Sequence, residues 1–446
     1  MQVAQSLAAS VVSQVLVGKN LTVALDEAFR QNQKITPQQR AVTQDLSYGT
    51  LRFYGELRAL LAELLEKPLQ EQYLRCLLLV AIYQLNHDQA ESHTIVDQAV
   101  NAAIKARKSW AKGLVNGVLR NYLRQRVALQ QKIAVDESAL YSYPQWWINK
   151  LKKQYPEDWQ AILLAGNQHP PMILRINQRK TNMSDYSNLL SQLGIEAQVL
   201  DAHAIVLQKP SSVEKVAGFS TGEVSVQDFG AQQAAKLLDL QDGMKVLDAC
   251  CAPGGKTGHI LELADVNLLA IDSDQIRLQR TQSNLARLGL QADLKVGDAA
   301  APDVWSDGTP FDRILADVPC TASGIVRRHV DIKWLRREAD IASFSKQQAQ
   351  ILPALWRLLA KGGKLLYVTC SIFNEENQVQ IDRFLEKHAD AKQLPIEFES
   401  SRSATAQQNV DVSEIYLSEH NIKSHHGQLL PCAQHDGFFY ALLQKI

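Results

Sequence analysis

The chain has 446 residues, of which 46% are hydrophobic and 21% are charged. This length fills two or three hydrophobic cores of ordinary size, which excludes a single compact domain. Basic and acidic residues number 47 each, so no global positive field attracts nucleic acid and any nucleic-acid site must be local.

Apolar runs and cysteines narrow the class of protein. The longest apolar runs, such as Cys76–Tyr83, are too short for a membrane span, and the first basic residue, Lys19, comes too late for a secretory signal. We therefore expect a cytoplasmic monomer with no membrane partner. The six cysteines include no CxxC pair, which argues against a disulfide framework and a metal site.

Residues 1–140 show a helical period from the start, with apolar residues at Ala4, Leu7 and Val11. Thr36-Pro37 is typical of a helix N-cap followed by proline at the first helical position. The stretch Cys76–Leu85 is apolar on nearly all sides. It predicts the central helix of an all-α bundle, with Cys76 in the core.

A charge run ends this bundle. Between Gln98 and Val135 there are eight basic residues and no acidic one. Such segregation in a neutral chain indicates a phosphate-facing surface, although a solvated helix face explains the charges equally well. The residues predicted to contact RNA here are Lys105, Arg107, Lys108, Lys112 and Arg120. The segment also contains Leu-Val-Asn-Gly-Val-Leu-Arg-Asn at 114–121, which resembles the NusB family of RNA-binding factors.

Residues 141–230 change in pattern. A helix is predicted around Trp146–Ala165, Pro170-Pro171 is a plausible hinge, and Met172–Asn177 and Ala204–Leu207 alternate as strands do. A small α+β domain fits this segment. Its layout resembles the RNA-recognition-motif-like insert found ahead of the catalytic domain in some RNA methyltransferases.

Residues 231–446 alternate strands with helices, which predicts a doubly wound, Rossmann-like α/β sheet with ligands at the carboxyl ends of its strands. The first strand leads into Gly254-Gly255-Lys256-Thr257. Cys250 stands where a phosphate-binding Walker loop needs glycine, and the dinucleotide fingerprint is also missing. S-adenosylmethionine fits better. Backbone amides at the glycines suit its amino-acid end, while Asp272 and Asp298, after the second and third strands, suit its ribose and adenine.

Two cysteines also follow strands. Cys320 comes after the fourth strand and Cys370 after the fifth. If these strands are neighbours, the thiols lie within a few ångströms of each other, although either alone is more simply a core cysteine. The chemistry that needs such a pair is methylation of pyrimidine C5, because a thiolate added to C6 makes C5 nucleophilic. A carboxyl group such as Asp317 stabilises the charge that develops, and a base then removes the C5 proton.

These motifs, Asp-Ala-Cys-x-Ala-Pro-Gly-Gly-Lys-Thr, Asp-x-Pro-Cys and Thr-Cys-Ser behind a NusB-like domain, together resemble the RsmB/Fmu/Sun type of 16S ribosomal RNA cytosine-C5 methyltransferase. The resemblance implies that Cys370 is the nucleophile, that Cys320 aids product release and that Asp317 contacts cofactor or base. It implies a target at cytosine 967 of 16S RNA. The implied cofactor set is Ala249, Cys250, Cys251, Ala252, Pro253, Gly254, Gly255, Asp272, Asp298 and Asp317.

The segment after the Pro-Cys turn is rich in cations. Positions 324–334 hold four cationic or potentially cationic groups and one tryptophan, a composition that suits contact with the phosphates around an extruded base. Arg327, Arg328 and the loop residue Lys256 are therefore predicted to contact RNA. The resembling family usually has proline at the position of Val330.

The C-terminal segment predicts a long loop or insertion from about Ser400 to His426, followed by a closing hairpin. His425-His426 lacks cysteine or carboxylate partners nearby, so we do not expect a metal there.

Two other functions remain open. An RNA-binding assembly or antitermination-like factor with a vestigial methyltransferase domain is disfavoured because no motif residue has been lost. Methylation at an exocyclic nitrogen needs no thiol. Enzymes that perform it typically have an aromatic residue at the position that corresponds to Cys320, so the cysteine there disfavours this function. The substrate, 16S RNA, is either naked or part of an unfinished small subunit.

Overall fold

The structure, a computed structural model, describes residues 2–87, 91–398 and 427–446. The chain divides into two compact units. The first combines Met1–Gln168 with Val326–Glu338, and the second combines His169–Ile325 with Ala339–Ile446. Among the described residues, no helix is long and apolar enough to cross a membrane. The predicted loop at 400–426, including His425-His426, lies outside the described residues.

The first unit is built from helices in its described part. In chain order these are α1 (Gln2–Leu16), α2 (Leu21–Gln31), α3 (Pro37–Arg52), α4 (Tyr54–Leu64), α5 (Gln72–His87), α6 (Ser92–Lys105), α7 (Lys112–Ile133), α8 (Glu137–Tyr141), α9 (Gln145–Gln154), α10 (Trp159–Asn167) and, from its second segment, α15 (Ile332–Leu335).

Local sequence explains these helices. Thr36 and Gln39 form a reciprocal capping box at the start of α3, with Pro37 as its first residue. Helix α5 is buried over most of its length, and Cys76 has no exposed surface, which confirms the predicted central helix and core cysteine. The single helix predicted around Trp146–Ala165 is wrong. It is two helices, α9 and α10, because Pro156 between them cannot continue the hydrogen-bond ladder.

The second unit begins with a small sheet of four antiparallel strands in the order β2-β3-β1-β4, accompanied by one helix. These elements are β1 (Met172–Ile176), α11 (Met183–Gln192), β2 (Ala197–Val199), β3 (Ala204–Leu207) and β4 (Val224–Val226). This arrangement confirms the predicted small α+β domain.

A larger sheet follows, flanked by helices. Its elements are α12 (Phe229–Leu237), β5 (Lys245–Ala249), α13 (Gly255–Leu263), β6 (Asn267–Asp272), α14 (Gln275–Leu288), β7 (Asp293–Val296), β8 (Phe311–Asp317), α16 (Glu338–Arg357), β9 (Leu359–Thr369), α17 (Gln378–Leu385), β10 (Ala391–Leu394), β11 (Gln428–Leu429) and β12 (Phe438–Lys445).

The strand order in the larger sheet is β10-β12-β9-β8-β5-β6-β7, with β11 paired to β12 as the predicted hairpin. The five strands from β7 to β9 run parallel, whereas β12 runs antiparallel to both of its neighbours. Apolar side chains alternate between two buried clusters, one on each face. The predicted doubly wound sheet is therefore confirmed, and the carboxyl ends of its parallel strands share one edge.

Candidate active site

A tight loop joins β5 to α13 at this edge. Cys250 and Gly254 both adopt positive φ angles, of 64° and 91°. A Cβ added at Gly254 would lie 2.8 Å from the Thr281 side chain and 3.0 Å from its Cα, so only glycine fits there. At Gly255 an added Cβ would meet only Gln227, at 3.8 Å. The start of α13 is therefore free of side-chain bulk, as a loop that offers its amides to a ligand must be.

Three predicted carboxylates follow three strands at the same edge. Asp272, at the end of β6, accepts from the backbone amides of Ala252 and Asp274 at 3.1 and 3.0 Å. Asp298, after β7, is exposed and accepts from the Ala300 amide at 2.9 Å. Asp272 thus also holds the loop in place. Both carboxylates keep lone pairs for further donors.

Asp317, at the end of β8, is paired with a cation. Lys256 Nζ donates to Asp317 Oδ2 at 2.6 Å, and the two side chains are 13% and 28% exposed. Burial alone would lower the pKa of Lys256, but the adjacent Asp317 carboxylate raises it above the ordinary value. Lys256 therefore stays a cation beside Asp317. This pairing competes with the predicted phosphate contact of Lys256.

A further carboxyl group lies behind the loop. Asp248, on β5, is fully buried and accepts from Thr257 Oγ1 at 2.6 Å, while its Oδ1 atom has no hydrogen-bond partner in the described part of the chain. Burial raises the pKa of Asp248 to about 7. Sequence reasoning assigned it no role.

The thiols of Cys320 and Cys370 lie in contact with each other. Strands β8 and β9 are parallel neighbours, and the Sγ atoms of Cys320 and Cys370 lie 3.4 Å apart. This distance exceeds a disulfide bond, so both cysteines are free. Cys320 is only 8% exposed, whereas Cys370 is half-buried. The predicted proximity is therefore confirmed, with Cys370 as the more accessible thiol.

The surroundings of Cys320 hold it in its protonated form. A hydrogen bond with Cys370 is the largest cause that raises the pKa of Cys320 well above its ordinary value, followed by burial and by the negative charges of Cys370 and Glu376. Cys320 therefore keeps its proton at neutral pH and can donate it toward Cys370.

Sequence reasoning missed Glu376. This residue has no exposed surface, and its carboxylate accepts hydrogen bonds from Thr321 and Ser371, the residues that follow Cys320 and Cys370. The Asn-Glu-Glu run shortly after Thr-Cys-Ser was the available signal. An acidic residue near a helix start is more often a cap, so the signal is weak.

Most of the basic residues predicted to contact RNA in the bundle lie on its surface. Lys105, Arg107, Lys112 and Arg120 are exposed. Lys108 is half-buried and forms an ion pair with Glu71 at 2.7 Å. The surface of the first unit therefore offers four of the five predicted cations to a phosphate backbone.

The predicted RNA contact of Arg327 is contradicted by its burial. It belongs to the first compact unit and is 1% exposed, because Val326–Glu338 packs among the helices of that unit. Lys333 of the same segment is fully buried, and it donates to the carbonyls of Arg52 and Ser142 and to Asn167 Oδ1. Lys333 therefore links three parts of the bundle by hydrogen bonds. Arg328 is half-buried, and its RNA contact stays a prediction.

Known families match all three parts of the chain. Residues 2–124 match the NusB family, residues 143–214 match the RsmF/B-like ferredoxin-like domain, and residues 235–444 match the 16S rRNA methyltransferase RsmB/F family. Fold and site thus define a Rossmann-like methyltransferase that follows a NusB-like and a ferredoxin-like domain.

Relatives extend the match to nearly the whole chain. Ribosomal RNA small subunit methyltransferase B of Yersinia enterocolitica is 41% identical over 447 residues, covering 99% of this chain and 98% of that protein. The same-named protein of Pseudomonas syringae is 41% identical over 451 residues, covering 99% and 96%. The chain belongs to the 16S rRNA methyltransferase RsmB/F family, as the sequence motifs predict. It is an S-adenosyl-L-methionine-dependent rRNA methyltransferase.

Solved structures agree with this assignment. The crystal structure of PH0851 superposes with a TM-score of 0.76 at 25% identity and covers 99% of each chain. A methyltransferase homolog protein from Pyrococcus horikoshii gives a TM-score of 0.57 at 26% identity and covers 70% of this chain and 98% of that one.

The residues present fit the predicted cofactor. S-adenosyl-L-methionine carries a positive sulfonium, an amino-acid group and ribose hydroxyls, which call for negative charge and hydrogen-bond acceptors. Acidic side chains stand at the ends of β6, β7 and β8, on both sides of the loop that follows β5, and the glycines leave the helix start unobstructed. The buried, unpartnered Oδ1 of Asp248 adds an acceptor beneath the loop.

Proposed function

We propose that this enzyme methylates C5 of a cytosine in 16S ribosomal RNA, at position 967, through a covalent bond between Cys370 and C6 of the base. The observation that carries this proposal is the 3.4 Å separation of the two thiols at adjacent strand ends. Methylation of an exocyclic nitrogen uses a lone pair that the base already has and requires no thiol. A pair of thiols on the cofactor edge is what C5 chemistry needs.

The cofactor would be held by the loop from Ala249 to Gly255, with Asp272 and Asp298 as acceptors. Bound there, it supplies an electrophilic methyl group. Gly254 and Gly255 allow a ligand to approach the backbone closely, and the lone pairs of the carboxylates remain available to its donors.

The chain's own residues perform the remaining steps. The Cys370 thiolate forms a bond to C6, and the electron pair displaced from the C5–C6 double bond makes C5 nucleophilic. The Lys256 cation, which donates to Asp317 at 2.6 Å, stabilises the negative charge that develops on the pyrimidine ring, and Asp317 holds this cation in place. After C5 has been methylated, loss of its proton restores the double bond, and the Cys370 sulfur leaves as thiolate.

Cys320 is suited to accept the C5 proton at that stage. Two of the causes that hold its pKa high are its hydrogen bond to Cys370 and the negative charge of Cys370. Both weaken once the Cys370 sulfur is bonded to carbon. Cys320 can then release its own proton to solvent and, as thiolate, take up the C5 proton, so a single pair of thiols supplies first the nucleophile and then the base.

The bundle supplies a surface that suits RNA. Next to the exposed cations lies Trp110, whose surface is 66% exposed. Gly113 and Gly117 stand in α7 with nothing within 4 Å of where a Cβ would be, so the bare helix backbone is open to close approach. Basic groups beside an exposed aromatic ring and open backbone favour contact with phosphates and an unstacked base.

Transfer of labelled methyl groups to unmodified 16S RNA tests the proposal, with naked RNA and partly assembled small subunits as parallel substrates. The expected product, mapped by mass spectrometry, is 5-methylcytosine at position 967. It should be absent when uracil replaces that cytosine. Methylation on an exocyclic nitrogen would refute the covalent mechanism. Cofactor binding without transfer to either substrate would favour an RNA-binding factor.

A further inference from the structure

A buried carboxylate joins the two turns that carry the thiols. Glu376 has no exposed surface. Its oxygens accept from the Thr321 amide at 2.8 Å, from Thr321 Oγ1 at 2.5 Å and from Ser371 Oγ at 2.5 Å. Thr321 directly follows Cys320, and Ser371 directly follows Cys370. One side chain therefore holds both cysteine turns.

The Cys320 turn is held from its other side as well. Gln348 Nε2 donates to the Pro319 carbonyl at 2.9 Å and lies 3.4 Å from Glu376 Oε1. Residues on either side of Cys320 are thus fixed by one connected group of side chains. Strands β8 and β9 end at Asp317 and Thr369. Beyond them a backbone bond from the Gly324 amide to the Cys370 carbonyl, at 2.8 Å, links the two turns, and the side chains of this group add to that restraint on the thiols.

Burial raises the pKa of Glu376, but the hydrogen bonds from Ser371 and Thr321 act against this shift and favour the charged form. Both hydroxyl groups and the amide direct their protons at the carboxylate, and only an ionised carboxylate accepts from all three without a competing proton. Hydrogen bonds to a buried carboxylate are stronger than those between neutral groups. The negative charge also lies close enough to Cys320 to oppose its ionisation.

We propose that Glu376 is a positioning residue of this methyltransferase. It holds the Cys320 and Cys370 turns at the separation that the two thiols need, and its charge keeps Cys320 protonated while Cys370 acts as the nucleophile. The expected effect of Glu376 on methyl transfer rests on the proposed function. The restraint of the two turns by Glu376 does not depend on that function, and it can be measured without RNA.

Alkylation of the folded protein by iodoacetamide, followed by peptide mapping, measures the restraint. Glu376→Gln keeps the shape of the side chain but loses the charge and one acceptor. We expect the rate of alkylation at Cys320, relative to Cys370, to rise roughly tenfold. The matched control is Glu386→Gln, the same change at an exposed position, which should leave the ratio unchanged. The buried Cys76 and Cys251 report unfolding, since they react only if the chain opens.

A second pair of variants covers the case in which Glu376→Gln fails to fold. Thr321→Val removes one hydroxyl donor to Glu376 at nearly constant volume, and Thr321→Ser restores it. We expect the alkylation ratio to rise in the valine variant and to return to the wild-type value in the serine variant. An unchanged ratio in folded Glu376→Gln or Thr321→Val would overturn the inference.

Methyl transfer by the same variants separates the two proposals. Glu376→Gln should lower kcat roughly 10- to 100-fold with little change in KM for RNA, because the thiols act only on the bound base. A changed alkylation ratio with unchanged kcat would support the restraint of the two turns by Glu376 and would refute catalysis by the thiol pair. An unchanged alkylation ratio would refute the role of Glu376 whatever the effect on kcat.

Discussion

Two cysteines of the second compact unit, Cys320 and Cys432, have neighbours that shift their pKa values in opposite directions. Cys320 lies beside another thiol and a buried carboxylate, which together raise its pKa. Cys432, in the turn before β12, lies beside His435. Although burial alone would raise it, the His435 charge and hydrogen bond lower the pKa of Cys432 below its ordinary value. The same side chain is therefore a protonated thiol in one turn and favours the thiolate in the other.

This comparison shows that the tendency of a cysteine to ionise and its proposed use in catalysis depend on different features of its surroundings. The pKa of Cys432 is the lower of the two, but Cys432 follows the short antiparallel strand β11, whereas Cys320 and Cys370 follow the parallel neighbours β8 and β9. The proposed nucleophile, Cys370, lies 3.4 Å from the second thiol that the proposed pyrimidine chemistry uses. The predictions that follow test whether position at the cofactor edge or thiolate character decides function.

The largest effect is expected from Cys370→Ala. Removing the nucleophile should lower methyl transfer by at least ~1000-fold, while cofactor binding measured by calorimetry stays within about twofold, since the thiol acts only on the base. The matched control is Cys432→Ala, which should retain wild-type transfer. Comparable losses of methyl transfer in the two variants would show that the two cysteines do not differ in their importance for catalysis.

Cys320→Ala should have the next largest effect. Without a base for the C5 proton, turnover should fall roughly 100-fold, and the enzyme should accumulate as a complex with RNA that survives denaturing electrophoresis. Cys320→Ala combined with Cys370→Ala serves as the control and should form no such complex. Rapid turnover by Cys320→Ala would assign proton removal to another group.

The pH dependence of alkylation compares the two environments directly. Because thiolate is the reactive form, Cys432 should react at pH 7 roughly 100-fold faster than Cys320, and Cys320 should gain reactivity only in alkaline solution. Replacing His435 by Gln should shift the profile of Cys432 to higher pH. Similar profiles for Cys320 and Cys432 in the wild type would show that their surroundings do not differ in charge.

The smallest effect concerns stability. Although burial alone would lower it, the negative charge of Cys432 raises the pKa of His435 to about 9. A histidine whose pKa is raised on folding contributes stability that is fully present below its unfolded pKa and is lost as pH rises through the folded value. His435→Gln should therefore lower the free energy of unfolding by about 1–2 kcal/mol near neutral pH. The difference should shrink above pH 9 in urea titrations. A constant difference would exclude an ion pair.

Much of the site could be predicted from the sequence, and the reason is topological. In a parallel sheet every strand ends at the same edge, so residues that follow strands in sequence meet in space. This rule brings Asp272, Asp317, Cys320 and Cys370 together although they are separated by up to about 100 residues of chain. It needs only correct strand ends, which the apolar runs give.

The two failures among the predicted functional residues have a different cause. Arg327 was predicted to contact RNA because it lies in a cation-rich segment directly after the Pro-Cys turn, but tertiary packing buries Val326–Glu338 among helices that are distant in sequence. Glu376 was missed because its partners are the residues beside the cysteines, whose hydroxyl groups carry no signal in sequence. Burial of a polar residue depends on its partners, which periodicity does not identify.

The most direct test of the central claim is to identify the atom of the enzyme that bonds to RNA. Cys320→Ala would be incubated with S-adenosyl-L-methionine and unmodified 16S RNA, the stable complex digested, and the crosslinked peptide sequenced by mass spectrometry. We predict a methylated cytidine nucleotide attached to Cys370. Attachment at Cys432 or any other residue, or no attachment while 5-methylcytosine still forms, would contradict the account.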